Sequence, residues 1–213
     1  LMRAVGRRLE RRGWLIFEAN GQDLVAGQTY MGQFEERLKA VVAQISGQRM
    51  SETILTNRGT CFACAVACKR EVEVAERGVT PESGGPEYET IGALGSTCGV
   101  SDAVAVSRAN ELCNAYSLDT IGAGVTIAFA MECFEKGLIK KDEAPGIDLT
   151  FGKGDALLKV IHLIARKEGI GALLSEGSKK ASERIDGSRD LAIHVKGLEL
   201  PGYDPRGMKG QCL

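Results

Sequence analysis

The chain has 213 residues, 44% of them hydrophobic and 26% charged, which suits one large domain or two small ones with a real core. Its 27 basic and 28 acidic residues leave a net charge of −1, so neither nucleic acid nor an anionic membrane is expected as a partner. Seven cysteines, an odd number with no export signal, exclude an ordinary secreted disulfide scaffold and point to a reducing, cytoplasmic setting.

The first arginines, Arg3, Arg7, Arg8, Arg11 and Arg12, are interrupted by Glu10, and the apolar run 14–17 is too short for a signal peptide. That run predicts a short strand. Residues 33–45 predict a helix with Phe34, Leu38, Val41, Val42 and Ile45 on one side. The polar stretch 47–60 predicts a loop, as does the Gly-, Pro- and Ser-rich stretch 77–85. Three periodic helices are expected next. The first carries Ala105, Ala109, Leu112, Cys113 and Tyr116, with Ser101 or Asp102 as N-cap. The second carries Ile121, Val125, Ala128, Phe129 and Cys133, between an Asp119 N-cap and Gly137 just past its end. The third carries Leu157, Ile161, Ile164 and Ala165 and is expected to close at Gly169. A shorter helix over 172–185, an extended segment over 191–195 and an irregular end over 201–210 complete a mainly α reading. No apolar run approaches the length of a transmembrane helix.

The firmest chemical feature is Cys61, Cys64 and Cys68, spaced C-x2-C-x3-C. Thiolates two and three residues apart reach neighbouring irons of a cubane, and soft sulfur is the natural ligand there, so the triplet suits a [4Fe-4S] cluster. Small or apolar spacers would shield such a cluster from water, and the cations Lys69 and Arg70 would offset its negative charge. Two other readings stay open at this point. A structural zinc site generally brings a second cysteine pair, absent here, and a triplet with no metal is the third reading. Cys212 is a fourth ligand by elimination only. Cys98, Cys113 and Cys133 read as small buried hydrophobes.

The strings that follow carry a resemblance. Residues 85–99 (GPEYETIGALGSTCG), 109–120 (ANELCNAYSLDT), 127–137 (IAFAMECFEKG), 174–177 (LSEG) and 194–207 (HVKGLELPGYDPRG) stand in one order. Over about 58–213 the chain resembles the tungsten-containing aldehyde ferredoxin oxidoreductases, while 1–57 match poorly. The resemblance implies irregular, multi-helical domains of that family's C-terminal type, incomplete at the C-terminus. It also implies a tungsten atom held by two pterin dithiolenes, with magnesium, beside a [4Fe-4S] cluster. The implied reaction oxidises a small aldehyde to a carboxylic acid and sends electrons through the cluster to ferredoxin. A homo-oligomer is compatible with it.

By the same resemblance, Cys61, Cys64 and Cys68 correspond to three of the four cluster ligands, and the fourth is expected in a later D-x-x-G-L-C motif. Asn114, Leu118, Asp119 and Thr120 correspond to the first pterin motif, D-x-x-G-L-D, with Asn in place of the first Asp and Ser117 in place of Gly. Carboxylate and amide acceptors at a helix start suit the pterin's N–H donors. A plain N-cap is the competing role for Asp119. Glu87, and after it Glu89, would take up the proton that aldehyde oxidation with water releases. Lys196 and Arg206 are candidate contacts to the pterin phosphates. His162 reads as a helix residue, and His194 is given no catalytic role. Lacking the β-rich domain, the fourth cluster ligand and the second pterin motif, this polypeptide alone is not expected to hold the complete tungsten cofactor. A non-catalytic fragment or homologue, and a family member acting on another substrate such as an aromatic acyl-CoA, are the alternative readings.

Overall fold

The structure, a computed structural model, describes residues 48–60, 62–63 and 69–201. The expected elements at 14–17 and 33–45, together with Cys61, Cys64, Cys68, Arg206 and Cys212, lie outside those residues. Among the described residues the fold is mainly α: seven α-helices against two short two-stranded ribbons.

The first difference from the sequence reading falls in 47–60. Part of that polar stretch forms helix α1 (Gln48–Thr53) and strand β1 (Leu55–Gly59), where a loop was expected. Strand β1 pairs antiparallel with β2 (Lys69–Val72), in a register running from Leu55↔Val72 to Gly59↔Lys69. Thr56, Asn57 and Arg58 are exposed, so no apolar alternation marks the strand. Pairing is reinforced instead from the side chains. Thr56 Oγ1 donates to the Glu71 carbonyl at 3.0 Å, and Asn57 Nδ2 donates to Glu71 Oε2 at 3.0 Å. The expected loop over 77–85 holds two 3-10 turns, one closing at Arg77 and one over Pro81–Ser83.

A second element had no counterpart in the sequence reading. Residues Tyr88–Thr90 form a single helical turn, α2, which widens into a π-helical segment over Ile91–Thr97. Its Ala93 and Leu94 are buried, and Thr97 Oγ1 turns back to donate to the Gly92 carbonyl at 2.9 Å.

The next two helices form where periodicity and caps placed them. Helix α3 (Ala103–Tyr116) starts at Asp102, whose carboxylate accepts from the Val104 N–H at 2.9 Å. It ends on Ser117 in the left-handed region, φ 55°. Helix α4 (Thr120–Glu135) starts at Asp119, which accepts from the Gly122 N–H at 2.6 Å, and Gly137 follows with φ 70°. Ile127, Phe129, Met131 and Cys133 are all buried, so α4 runs through the core and carries no wide polar face.

Helix α5 (Gly154–Arg166) buries Leu157, Val160, Ile161 and Ile164 on one stripe. It closes at Lys167 (φ 55°), two residues before the expected Gly169. The expected helix over 172–185 is divided into α6 (Ile170–Leu174) and α7 (Gly177–Arg184), because Gly177 stands at φ 87° and restarts the chain in a new direction. Helix α6 crosses α5 so closely that a Cβ on Gly171 would sit 2.1 Å from the Leu163 carbonyl carbon. The expected extended segment over 191–195 is a 3-10 turn (Arg189–Leu191) followed by β3 (His194–Val195), which pairs with β4 (Leu198–Glu199). Lys196 (φ 56°) and Gly197 (φ 93°) make the two-residue turn of this hairpin, the conformation a right-twisted ribbon favours. Among the described residues no single helix is long and apolar enough to cross a membrane.

Candidate functional site

Four separate stretches of sequence are linked by specific contacts: the Glu87 string and the β3–β4 hairpin meet α4 itself, and β2 and the end of α3 meet the turn ahead of Glu87. The first lies just after the cysteine triplet. The β1–β2 pairing joins Gly59 to Lys69, the residues on either side of the stretch that carries the three cysteines. Within it, Phe62 is fully exposed. Beyond it, the Gly85 N–H donates to the Arg70 carbonyl, and Arg70 donates to the Pro86 carbonyl at 3.3 Å. Strand β2 thus holds Gly84–Gly85–Pro86, the three residues immediately ahead of Glu87. A Cβ on Gly85 would lie 3.0 Å from Arg70 Cβ and 3.0 Å from Val72, so this packing depends on glycine.

Glu87 stands at the start of α2 in extended backbone, with an exposed side chain, and its carbonyl receives the Ile91 N–H at 2.9 Å. Glu89 is half-buried within the same turn. One residue on, Thr90 is buried, and its Oγ1 lies 2.9 Å from Thr120 Oγ1. That bond ties the string containing Glu87 to the string containing Asp119. Packing below it is equally close. A Cβ on Gly124 of α4 would sit 2.6 Å from the Ala93 carbonyl carbon. Buried Cys98 donates its thiol to the carbonyls of Ala93 (3.4 Å) and Gly124 (3.3 Å), bridging the same two segments.

Asn114 is exposed near the end of α3. Its Nδ2 donates to the Ser83 carbonyl at 3.0 Å, and Ser83 Oγ donates to Glu111 at 2.8 Å. The Asn114 amide therefore faces the turn that precedes Glu87. Leu118 is half-buried against the core between Ser117 and the Asp119 cap. Asp119 is exposed, and its Oδ2 receives the Gly122 N–H, which makes it an N-cap whatever else it does.

The fourth stretch is the β3–β4 hairpin. Lys196 is exposed at its tip, and Glu199 is buried at its base. Glu199 Oε1 accepts from the Ser178 N–H (2.7 Å), from Ser178 Oγ (2.7 Å) and from Thr126 Oγ1 (3.3 Å). A Cβ on Gly122 would be 3.0 Å from Asp119 Oδ2 and 3.7 Å from Glu199 Oε2, so the two carboxylates flank this glycine. Sequence reasoning passed over Glu199. The signal available was a glutamate inside the L-E-L-P-G-Y-D-P-R-G string between hydrophobic neighbours, a position that buries only with partners.

The isolated cysteines behave as small hydrophobes. Burial pushes the thiols of Cys98, Cys113 and Cys133 up to about 12, in the last two with a push from the neighbouring charges of Asp119 and Glu132 respectively. His162 pairs with Tyr116, its Nδ1 2.8 Å from the hydroxyl and the rings edge to face at 5.6 Å, which ties α5 to α3. Desolvation, then the charges of Arg166 and Arg108, hold this imidazole below its usual value. Gly197 donates its N–H to His194 Nδ1 at 3.2 Å, so His194 braces the hairpin turn. Among the described residues no group of three or more His, Cys, Asp or Glu is arranged to hold a metal ion. A cleft of about 420 Å3 opens elsewhere, between the starts of α3 and α5, lined by Arg77, Asp102, Arg108 and Asp155; none of the predicted site residues borders it.

Exposed acceptor atoms stand on Asn114 and Asp119, an exposed carboxylate on Glu87 and an exposed cation on Lys196.

A family model described as aldehyde ferredoxin oxidoreductase, domains 2 and 3, matches residues 24–213. The tungsten-containing aldehyde ferredoxin oxidoreductase of Pyrococcus abyssi is 40% identical over 171 residues, which are 79% of this chain and 28% of that protein. Its counterpart of the same name from Pyrococcus furiosus is 41% identical over 79% of this chain and 27% of its own length. The chain therefore spans under a third of the length of these relatives. Among solved structures, the active-site complex BamBC of benzoyl coenzyme A reductase, in complex with 1,5-dienoyl-CoA, superposes with a TM-score of 0.61 at 24% identity, covering 72% of this chain and 23% of that one. That likeness bears on the fold alone. With the family model spanning most of the sequence and the relatives agreeing in the same region, the chain belongs to the aldehyde ferredoxin oxidoreductase family, in its second and third domains.

Proposed function

We propose that this chain forms the helical half of the cofactor pocket of an oxidoreductase that converts an aldehyde to a carboxylic acid and passes the electrons to ferredoxin. The reading is supported above all by one observation: the Thr90–Thr120 bond joins the string bearing Glu87 to the helix start bearing Asp119. Its relatives are named tungsten-containing aldehyde ferredoxin oxidoreductases, which favours the aldehyde over an acyl-CoA.

When bound, a tungsten–pterin centre supplies the two-electron chemistry, and the protein's part is to bind, orient and tune it. Asp119 at the start of α4 and Asn114 near the end of α3 accept from the pterin's N–H groups. Thr120 fixes that start against α2. Lys196 meets a phosphate, with Arg206 as its companion. Glu87, exposed and held at the head of α2 by its backbone bond to Ile91, takes up the proton released when water adds to the aldehyde carbon, with Glu89 beside it. Cys61, Cys64 and Cys68, which fall between β1 and β2 in sequence, hold a [4Fe-4S] cluster. Lys69 and Arg70 begin β2, and Arg70 links that strand to the residue before Glu87 by donating to the Pro86 carbonyl.

The test is aldehyde-dependent reduction of ferredoxin by the full-length protein, wild type against Glu87→Gln. Loss of general-base catalysis lowers kcat by about 10^2 to 10^4-fold while tungsten content is unchanged. Wild-type protein that carries tungsten and oxidises no aldehyde, or a Gln variant that keeps full kcat, would overturn the assignment.

A further inference from the structure

Glu199 stands apart from every group used so far: a carboxylate 8% exposed, remote in sequence from the residues it touches and assigned no role in the reaction. It lies on β4, opposite His194, three residues from Lys196 at the hairpin tip. Three donors converge on its Oε1, two from Ser178 at the start of α7 and one from Thr126 inside α4. Two glycines make the space. A Cβ on Gly177 would fall 3.0 Å from Oε1, and one on Gly122 would fall 3.7 Å from Oε2. Gly177 also stands at φ 87°, where other residues are strained, so the interruption between α6 and α7 opens the very amide that Glu199 captures.

The position has a physical logic. A buried carboxylate is costly unless it is hydrogen-bonded, and the exposed N–H groups at a helix start are a favourable partner for negative charge. Helix α7 has no side-chain cap of its own. Glu199 supplies one from 21 residues away, and by doing so fastens the hairpin to α7 and α4 together. The hairpin itself is only two residues per strand, too short to be stable without such an anchor.

We propose that Glu199 is a positioning residue: it fixes the Lys196 hairpin relative to the Asp119–Thr120 helix start, so that a phosphate contact and a heterocycle contact stand at a set separation. This rests on the reading of Lys196 and Asp119 given above. Asp119 Oδ2 and Glu199 Oε2 both approach the position a Cβ on Gly122 would take, at 3.0 and 3.7 Å, so a shift of the hairpin is felt at the first turn of α4.

The experiment uses the full-length protein as wild type, Glu199→Ala, Glu199→Gln, Lys196→Ala and the Glu199→Ala/Lys196→Ala double variant. Two quantities are read: amide hydrogen exchange, and pterin retained per protomer, measured by fluorescence after acid release. Gln keeps an acceptor oxygen for Ser178 and Thr126 and is expected to match wild type in both. Glu199→Ala is expected to speed exchange at the Ser178 amide and at residues 195–198 by about tenfold or more, leaving α5 unchanged. Its pterin loss should equal that of Lys196→Ala, and the double variant should lose no more than either single one, because the two changes remove one contact. Unchanged hairpin exchange in Glu199→Ala, or additive pterin losses in the double variant, would overturn the positioning role alone. Full pterin retention in Lys196→Ala would overturn the reading of Lys196, and this proposal with it.

Discussion

Replacing Gly124 with alanine probes the joint on which the whole site stands. In an ordinary helix interior the exchange favours folding by about 1 kcal/mol, because alanine has the better helix propensity. Here the added Cβ would lie 2.6 Å from the Ala93 carbonyl carbon, 2.8 Å from Ala93 Cβ and 2.8 Å from Ala93 O. Carbon atoms pack best about 3.5–4.0 Å apart, so α4 and the π segment must separate by roughly 1 Å. The obstacle is backbone, which cannot swing aside, and the Cys98 thiol bonds that span the same gap lengthen with it. Overpacking against backbone falls at the upper end of the usual cost of about 1–3 kcal/mol, so a net destabilisation of about 2 kcal/mol is expected after the propensity gain. Gly92 is the internal control. It lies in the facing π segment with open space at its Cβ, so Gly92→Ala should be neutral or slightly stabilising. Urea unfolding measures both: Gly124→Ala should lower the midpoint at constant m, and Gly92→Ala should not. A Gly124→Ala protein as stable as wild type would refute the close approach of α4 to the π segment.

Further outcomes are expected. Asp102→Ala and Asp119→Ala should each cost about 1 kcal/mol of stability through loss of an N-cap, but only Asp119→Ala should lower pterin content; equal pterin content would leave Asp119 a cap alone. The depressed His162 favours its neutral form in the fold, so protonation opposes folding. Stability should be fully present above the ordinary imidazole value of 6.5 and should be lost as pH falls from there through the lower value of the folded state, and His162→Gln should flatten that part of the profile in thermal melts from pH 8 to pH 5. A wild-type profile with no decline below 6.5 would contradict the shift. Cys98, Cys113 and Cys133, with thiols near 12 and buried, should resist iodoacetamide at pH 8 in the folded protein and react only on denaturation; alkylation of any of the three in the native state would contradict their burial.

Helices α3 and α4 were legible because periodicity and cap agreed: Asp102 and Asp119 each precede an apolar stripe and each bonds the expected N–H. The central core followed from the same stripes. What escaped was decided by tertiary contact. Strand β1 is exposed on both sides of Asn57, so its pairing leaves no hydrophobic period to read. Lys167 closes α5 in the left-handed region ahead of the glycine that composition favoured, since two backbone bonds to Leu163 and Ile164 satisfy the last turn there. The division between α6 and α7 turns on Gly177 and on a carboxylate 22 positions further along the chain, a contact no local window contains. The site shows the same division. Asn114, Asp119, Thr120 and Glu87 were singled out through motif strings, and the structure adds their contacts: Asn114 with Ser83, Asp119 with Gly122 of its own helix, and Thr120 with Thr90, three residues after Glu87. Glu199 carries no local signal beyond its apolar neighbours, and only the folded chain reveals its partners.

The central claim is that the cysteines between Gly59 and Lys69 hold an iron–sulfur cluster in a protein that also binds a pterin at the start of α4. Low-temperature EPR of the dithionite-reduced full-length protein, with iron and tungsten quantified on the same sample, tests it most directly. The account predicts a reduced [4Fe-4S] signal that Cys64→Ser abolishes or alters, with iron lost from that variant, and tungsten present in the wild type. Wild-type protein with zinc in place of iron, or a cluster signal untouched by Cys64→Ser, would contradict it.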